Sequence, residues 1–503
     1  MCVKKLTFKQ FPLDGRRLGL AVLFALAVTG CAVGPDFYAP APPPGLRDDS
    51  YTPAAMPSDT ASAPVPGGAS QHLVIGQDIP AQWWSVFHSP ELDRLVRSAL
   101  EHNPTMAAAE AALREAQENY NAERGGRAFP AINAQLSAAR EHQADQGKTV
   151  NGVFSLYNAS VNVSYAPDVF GSTRRALEGA QAAIDYQRFQ VEAAQLALTA
   201  NVVTAAIREA SLRAQLQATA EVLAAQRKQM DVIDQQLKAG AVARSVLLTQ
   251  RSQVAQTAAT VPPLEKALAL SRHALSVLAG QLPSTPDLPQ FELASLTLPE
   301  QLPLSLPSAL ARQRPDVRAS EALLHQASAQ VGVATANLYP QFTLSGSYGV
   351  AGASPHQLFK ADNVFWNLAA GLTQPLFNGG ALTAKRRAAE AAYDAAAAQY
   401  RATVLGAFQN VADSLRALEF DANALQAQAD AESLAAESLA LAKRQYELGA
   451  ISYLGLLDAQ RSYQQTHIAL VQAQAARYAD TAALFQALGG GWWNRPPGGA
   501  AAP

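Results

Sequence analysis

The residue types that most often carry out catalysis or bind metals are sparse and scattered in this sequence. The chain of 503 residues has two cysteines, Cys2 and Cys31, and eight histidines, at positions 72, 88, 102, 142, 273, 325, 356 and 467. No two histidines have the spacing of a metal site, and no glycine-rich phosphate loop follows a predicted strand. The three glycines at 489–491 are terminal and carry little signal. We therefore expect no enzyme activity, no metal and no cofactor.

Cys31 is the residue whose surroundings predict a chemical modification. Basic residues precede an apolar run at 18–28, which is too short to cross a bilayer as a helix. The run is followed by Thr29, Gly30 and Cys31. Small residues before a cysteine are typical of a bacterial lipobox, in which the leader is removed and the cysteine is thioether-linked to diacylglycerol and acylated on its amino group, for example with palmitate. We predict a lipoprotein signal peptide at 1–30 and lipidation of Cys31. The alternative is an ordinary signal peptide with an incidental cysteine.

Composition and charge narrow the class of protein. Aromatic residues make up 7% of the chain and alanine is abundant, which favours closely packed, extended helix bundles. The formal charge of −2 provides no basic face for nucleic acid. No segment after the signal has about 18 uninterrupted apolar residues, so we expect no transmembrane helix. If the mature protein crosses a membrane, strands must do so.

The mature chain repeats one pattern twice. Residues 31–80, rich in Pro, Ala, Ser and Gly, predict an extended tether with little core of its own. Each repeat, at 81–281 and at 308–489, has a helix, two strands of alternating apolar and polar residues, a helix of about 100 Å and a shorter helix. A proline-rich connector at 282–307 joins the repeats, and residues 490–503 predict a flexible C-terminus. The four strands are predicted at 132–138, 158–165, 342–348 and 365–375.

The sequence also predicts where the helices break. Gly240 and Gly449 occupy equivalent positions in the two repeats, and glycine accepts the left-handed conformation that ends a helix. Each therefore marks the tip of a long antiparallel helical hairpin. Gly125 and Gly126 predict the end of the helix before the first strand. Pro262 and Pro263 predict an interruption in the shorter helix of the first repeat.

This layout implies assembly. A hairpin of about 100 Å cannot bury its apolar stripe within one compact domain, so it must pack against equivalent hairpins. Four strands leave two open edges, which lipid does not tolerate. Three copies would close a barrel of twelve strands, an even number within the range of membrane barrels. The alternative, ordinary sandwich strands of a periplasmic protein, remains open from periodicity alone.

Short segments along nearly the whole mature chain match, in order, the motifs of one known family. They are 31–36 (Cys-Ala-Val-Gly-Pro-Asp), 83–103, 168–171 (Asp-Val-Phe-Gly) with Arg174 and Arg175, 262–264, 314–316, 377–380 (Phe-Asn-Gly-Gly), 407–413 and 456–461. By these segments the sequence resembles the TolC-like outer membrane efflux family, in particular its lipoprotein branch. The resemblance implies a mainly α fold with a small transmembrane β part: a trimer with a β-barrel of twelve strands above a periplasmic α-barrel of duplicated hairpins.

The resemblance also implies roles for residues near the second tip. Leu454 and Asp458 match positions that pinch the periplasmic end shut, and their spacing of four places them on one helix face. Asp458 would form a negative ring in a trimer; the alternative is a solvated carboxylate that offsets the helix dipole. Tyr446 matches a position that helps hold the closed state. The equivalent residues in the first hairpin, Ser245 and Thr249, are uncharged.

The match is incomplete at the gate. Some relatives have an arginine where Ile451 stands and another acid where Gly455 stands. A polar lock built on those residues is thus in doubt, and the Leu454 ring would do more of the sealing. We expect the tips to dock a periplasmic adaptor, through Gly240 and Ala241 in the first hairpin and Gly449 and Ala450 in the second.

These observations predict a passive exit duct in the outer membrane for drugs or other small toxic compounds. Its expected partners are copies of itself, a periplasmic adaptor and an inner membrane RND-type transporter. One alternative is the outer channel of a type I protein secretion system, which can share the fold. Another is a periplasmic adaptor lipoprotein, although an adaptor has a single helical hairpin and this chain has two.

Overall fold

The computed structural model describes residues 32–41, 51–54, 56–143, 152–285, 288–358 and 360–495. The predicted signal peptide and Cys31 lie outside these residues. In chain order the elements are β1 (His72–Ile75), α1 (Pro90–His102), α2 (Pro104–Ala128), β2 (Ala131–Gln143), β3 (Gly152–Tyr165), α3 (Ser172–Lys238), α4 (Arg244–Ala259), α5 (Val261–Leu278), β4 (Gln301–Leu304), α6 (Pro307–Gln313), α7 (Pro315–Ala336), β5 (Gln341–Gly352), β6 (Val364–Thr373), α8 (Ala381–Glu447) and α9 (Tyr453–Ala487).

The chain divides into two compact units. The strand unit lies within residues 1–39, 114–185 and 321–398, and the helical unit within 40–113, 186–320 and 399–503. Both repeats contribute to each unit. Each long helix, α3 and α8, has 67 residues, which corresponds to about 100 Å.

The strand unit contains one antiparallel sheet in the order β2-β3-β5-β6. All four predicted strands are present. Pairing of β3 with β5 joins the repeats, for example Val161 with Tyr348. Alternation gives the sheet two faces: the apolar face includes the exposed Leu136 and Leu368, and the other carries small polar residues such as Ser345. The outer edges of β2 and β6 pair with no other strand among the described residues.

The helical unit is held together by apolar seams at nearly heptad spacing. On α8 the buried residues recur every three or four positions, which is the pattern of a coiled-coil seam rather than of a globular helix face. Leu425 and Ala429 from this seam pack against Leu470 on α9. The seam therefore binds the two arms of the second hairpin. Its members are Tyr400, Val404, Ala407, Val411, Leu415, Leu418, Ala422, Leu425 and Ala429.

Two predicted helix breaks have different outcomes. The break near the proline pair is confirmed: α4 ends at Ala259 and α5 begins at Val261, because proline is tolerated in the first turn of a helix. The break at Gly125 and Gly126 was wrong, since α2 continues through both to Ala128. Glycine in a helix costs only about 1 kcal/mol, and Phe129 with Pro130 provides the stop.

The predicted tether is more ordered than its composition indicates. β1 pairs in parallel with β4, with His72 opposite Gln301, so the tether and the connector form a small sheet. Arg477 on α9 is only 1% exposed. Its guanidinium donates to the Gln71 Oε1 at 2.8 Å, to the Thr60 Oγ1 and to the carbonyls of Ala61 and Ala69. These backbone carbonyls belong to no helix or strand, and Arg477 supplies their hydrogen bonds. This contact explains how a Pro- and Gly-rich segment is held in place.

The predicted flexible C-terminus is also corrected, for residues 490–495; residues 496–503 lie outside the described part. The Trp492 indole donates to the Gln313 carbonyl at 2.6 Å, and Arg495 pairs with Glu192 at 2.6 Å. Gly490 has φ +68°, and a Cβ there would lie 2.4 Å from Leu196 Cδ1. The glycines therefore allow a close turn rather than flexibility.

Among the described residues, no helix combines the length and apolar character needed to cross a membrane.

The helical unit contains a half-buried acid, Asp480, three residues after Arg477 on α9. The Asp480 carboxyl on α9 lies against that of Asp421 on α8, and burial together with this neighbour raises the pKa of Asp480 to about 8. Burial lowers the pKa of the nearby Arg477, which still stays charged because an arginine side chain holds its proton so tightly. Asp480 is thus expected to be protonated at neutral pH.

Replacement of Asp480 by asparagine tests this protonation. The ordinary pKa of the group is 3.8, so the folded protein holds a proton that the unfolded chain releases, and the free energy of unfolding should fall as the pH rises from about 4 to about 8. Asparagine donates a hydrogen bond as the protonated acid does and does not ionise. Over this pH range, the free energy of unfolding of Asp480→Asn should therefore fall by about 2 kcal/mol less than that of the wild-type protein.

Thermal unfolding of the detergent-solubilised protein at acidic, neutral and alkaline pH measures the effect. Asp413→Asn, at an exposed position of α8, is the matched control and should retain the wild-type dependence. Equal dependence in all three proteins would show that Asp480 does not hold a proton.

Candidate functional site: the hairpin tips

The two hairpin tips have the same backbone conformation. Gly240 has φ +72° and Gly449 has φ +73°. The N–H of Ala241 donates to the Gln236 carbonyl and that of Ala450 to the Gln445 carbonyl, both at 2.8 Å. This pattern closes a helix with a left-handed glycine, as predicted. The predicted docking residues, Gly240, Ala241, Gly449 and Ala450, are all exposed at these tips.

The predicted gate residues lie just beyond the second tip, on the first turns of α9. The Ser452 hydroxyl caps the helix by accepting from the Gly455 N–H at 3.4 Å. Leu454 is 60% exposed and Asp458 is exposed on the same face. Asp458 lies in the second turn of α9, beyond the first turn in which a carboxylate offsets the helix dipole, and the ring role requires further copies.

The opposite face of α9 is anchored in an apolar cluster. Leu456 is buried with Leu439 and Ala442 of α8, and Ile451 packs against the same group. Ile451 stands where some relatives have an arginine. In this chain that position strengthens the apolar packing of the tip instead of contributing a charge.

Tyr446 is half-buried and packs edge-to-face on Tyr453, with ring centroids 5.8 Å apart. Burial raises the pKa of Tyr446 and raises that of Tyr453 to about 12, so both hydroxyls keep their protons at neutral pH. The structure brings Tyr446 next to Tyr453 rather than to a carboxylate.

Sequence reasoning missed a polar network that joins the two hairpins. The Tyr453 hydroxyl donates to the Gln250 Oε1, and the Gln250 Nε2 donates to the Gln226 carbonyl of α3 at 2.7 Å. Nearby, the Arg461 Nε donates to the Gln253 Oε1 at 2.8 Å. We call Gln250, Gln253, Tyr453 and Arg461 the tip latch.

The two glutamines of the latch are shielded from water. Gln250 and Gln253 are buried on α4, where leaving an amide unpaired costs about 1–3 kcal/mol. The only sequence signal was the spacing of Gln250 and Gln253, which places both on the face of α4 that carries the buried Leu247. The first-hairpin equivalents of the gate residues stay outside it: Ser245 and Thr249 are exposed, and the Thr249 hydroxyl donates to the Ser245 carbonyl at 3.0 Å.

A second feature, in the strand unit, concerns the residues directly after Cys31. The segment 32–39, which we call the strap, begins beside the turn before α3: the Val33 N–H donates to the Phe170 carbonyl at 3.1 Å. Asp36 pairs with Arg175 at 2.6 Å, and Phe37 stacks on His325 with ring centroids 4.3 Å apart.

Small residues let the strap approach the helices closely. A Cβ at Gly34 would lie 2.5 Å from the Gly332 Cα, so a larger residue would force the strap away from α7. His325 is itself held by Glu178 at 2.9 Å. The strap thus holds the residues that follow the predicted lipidation site against the turn between β3 and α3.

The described residues contain no cluster of three or more His, Cys, Asp or Glu that could hold a metal ion.

Comparison with known proteins identifies relatives along nearly the whole chain. The family model for outer membrane efflux proteins matches residues 95–281 and 306–490. The pyoverdine export outer membrane protein OpmQ of Pseudomonas putida is 31% identical over 448 residues, 86% of this chain and 93% of its own. The antibiotic efflux pump outer membrane protein ArpC of Pseudomonas putida is 29% identical, covering 94% of this chain and 96% of its own. The solved structure of the outer-membrane channel OprN has a TM-score of 0.82 and 29% identity, covering 92% of this chain and 100% of its own.

The latch predicts how firmly the two hairpins are joined. Tyr453→Phe removes the hydroxyl and leaves the buried Gln250 Oε1 without its donor, which should cost about 1–2 kcal/mol. Amide hydrogen exchange in the first turns of α9 should then become about ten times faster. Tyr463→Phe is the matched control, because the Tyr463 hydroxyl makes no hydrogen bond within the described part of the chain. Equal exchange rates in both variants would mean that the latch does not restrain α9.

Proposed function

This chain belongs to the outer membrane efflux protein family, and from that premise we propose that three copies of it form one continuous exit duct. It is an outer membrane channel for efflux, and such channels are not enzymes. The observation that carries the trimer is the open sheet: within the described part of the chain, β2 and β6 each present an unpaired edge, and an apolar face is exposed between them. Three copies would pair every edge and place the apolar face against lipid.

Below the membrane, the hairpins of three copies would pack side by side into a hollow cylinder. The coiled-coil spacing of the α8 seam supports this arrangement, because such seams suit lateral packing of long helices. The duct would be passive. An inner membrane RND-type transporter would drive export, and a periplasmic adaptor would bind the exposed tips around Gly240 and Gly449.

The cargo we propose is small molecules such as drugs and other toxic compounds. The relatives named for pyoverdine export and for antibiotic efflux support this class over proteins. The alternative of a periplasmic adaptor does not agree with the family to which the chain belongs.

At the periplasmic end, we infer that Leu454 and Asp458 of three copies narrow the duct. Both side chains are exposed on one face of α9 in a single chain. The Leu454 ring would seal the opening, the Asp458 ring would favour cations, and Tyr446 with the tip latch would hold the closed state.

Replacement of Asp458 by alanine tests this ring. Because three carboxylates concentrate cations at a constriction, Asp458→Ala should lower the cation-to-anion permeability ratio. Because alanine is smaller than aspartate, it should also widen the constriction and raise single-channel conductance in planar bilayers. Thr249→Ala, at the equivalent position of the first hairpin, is the control and should leave both values unchanged. Unchanged conductance and selectivity in Asp458→Ala would remove this residue from the gate.

The lipid anchor is a further part of the proposal. The strap holds residue 33 beside Phe170, so acyl chains on Cys31 would reach lipid close to the ends of the membrane strands. Three acyl chains per copy would bind firmly, whereas one gives only marginal attachment.

Labelling of cells with a palmitate analogue measures this modification. The wild-type protein and Cys2→Ser should incorporate label, because the signal that contains Cys2 is removed. Cys31→Ser should incorporate none and should migrate as the unprocessed precursor. Label retained in Cys31→Ser would contradict lipidation at this residue.

A further inference from the structure

The second turn from strand to helix presents an aromatic ring that has no partner within its own chain. Phe377 is 92% exposed and its neighbour Leu376 is 93% exposed. Both lie between β6 and α8 in the strand unit. Among the described residues, no aromatic side chain stacks on Phe377. A large apolar side chain left this open usually marks an interaction surface.

The first repeat shows what such a ring does. Phe170, at the equivalent turn between β3 and α3, stacks on Tyr339 of the second repeat with ring centroids 4.9 Å apart and an angle of 24° between the rings. The contact thus joins the turn of one repeat to the residue just before the first strand of the other. It accompanies the β3–β5 pairing that joins the two repeats.

The two turns end in glycines of the same backbone conformation. Gly171, the residue before α3, has φ +84°, and Gly380, the residue before α8, has φ +83°. Both long helices begin directly after these glycines, and each turn carries its phenylalanine between the end of a strand and the start of the helix. The in-chain contact is therefore a template for the contact that Phe377 makes.

The repeat also indicates which side chain Phe377 would stack on. Tyr339 and Pro340 precede β5 as Phe129 and Pro130 precede β2. Phe129 is 54% exposed, and the Arg124 guanidinium lies 5.9 Å from its ring centroid. Within one chain, Phe129 precedes β2 and Phe377 follows β6, and these two strands form opposite edges of the sheet.

We propose that Phe377 of one copy stacks on Phe129 of the next copy, which reproduces the Phe170–Tyr339 contact between chains. This inference rests on the proposed trimer and adds the residues that secure its junctions. Arg124 lies close to the same Phe129 ring and adds an attraction between cation and ring. Leu376 would be covered at the same junction. The occupant of this surface is a second copy of this chain.

Thiol cross-linking tests the contact directly. In Phe129→Cys/Phe377→Cys, a short bifunctional thiol reagent should link neighbouring copies and give dimers and trimers on denaturing gels. In the matched pair Phe170→Cys/Tyr339→Cys, the same reagent should link residues within one chain and leave the monomer mass. Treatment of the wild-type protein with the same reagent measures the background cross-linking through its own cysteines.

Light scattering of the same samples in detergent separates this contact from the trimer itself. Trimers that give only monomers after treatment of Phe129→Cys/Phe377→Cys would overturn the aromatic contact and leave the proposed duct intact. A monomeric wild-type protein would overturn both.

A second measurement uses variants that keep or remove the ring. Phe377→Ala should lower the temperature at which trimers dissociate in detergent by about 5 °C, whereas Phe377→Tyr should stay close to wild type because the ring is retained. Equal dissociation temperatures for Phe377→Ala and Phe377→Tyr would show that the ring does not hold the copies together.

Discussion

The need to pair every backbone N–H and C=O group in lipid is the constraint on which the rest of this structure depends. Each chain provides a sheet with two open edges, β2 and β6. An unpaired edge costs several kcal/mol per group in hydrocarbon, so the strand unit cannot function alone in a membrane. The helical unit has the same incompleteness in another form. Its hairpins expose apolar residues such as Leu441 and Leu434 that only neighbouring helices would cover.

The pattern of apolar residues made the architecture predictable from sequence. Strict alternation around Ile132 and around Val161 defined strands with two different faces, and long stretches without proline defined the two helices of 67 residues. Gly240 and Gly449 predicted tips that have nearly identical φ values. These features are local, and local preference and tertiary structure agree at each of them.

The elements that escaped prediction depend on contacts between distant parts of the chain. The sequence of residues 60–71 does not indicate that Arg477 donates to their carbonyls. Similarly, the glycines at 489–491 have the composition of a flexible end, although they pack against Leu196 and Pro80. The tip latch is similar, since Gln250 and Tyr453 are far apart in sequence. Composition indicates whether a segment can form its own core, but not whether another element supplies its partners.

Because one chain contains both repeats, equivalent positions in the two repeats can carry different side chains, which identical single repeats would not allow. The two tips share one backbone conformation, yet only the second carries Leu454 and Asp458, while the first has Ser245 and Thr249. The two strand-to-helix turns both end in a left-handed glycine. Among the described residues the strap covers only the first turn, where Ala32 lies at the position that a Gly171 side chain would occupy. In the proposed trimer, the first turn would anchor the strap and the second would bind a neighbouring copy. One repeat would then attach the chain, and the other would join the copies and narrow the duct. Since the backbone is common to both, a few side chains at equivalent positions are sufficient to separate these roles.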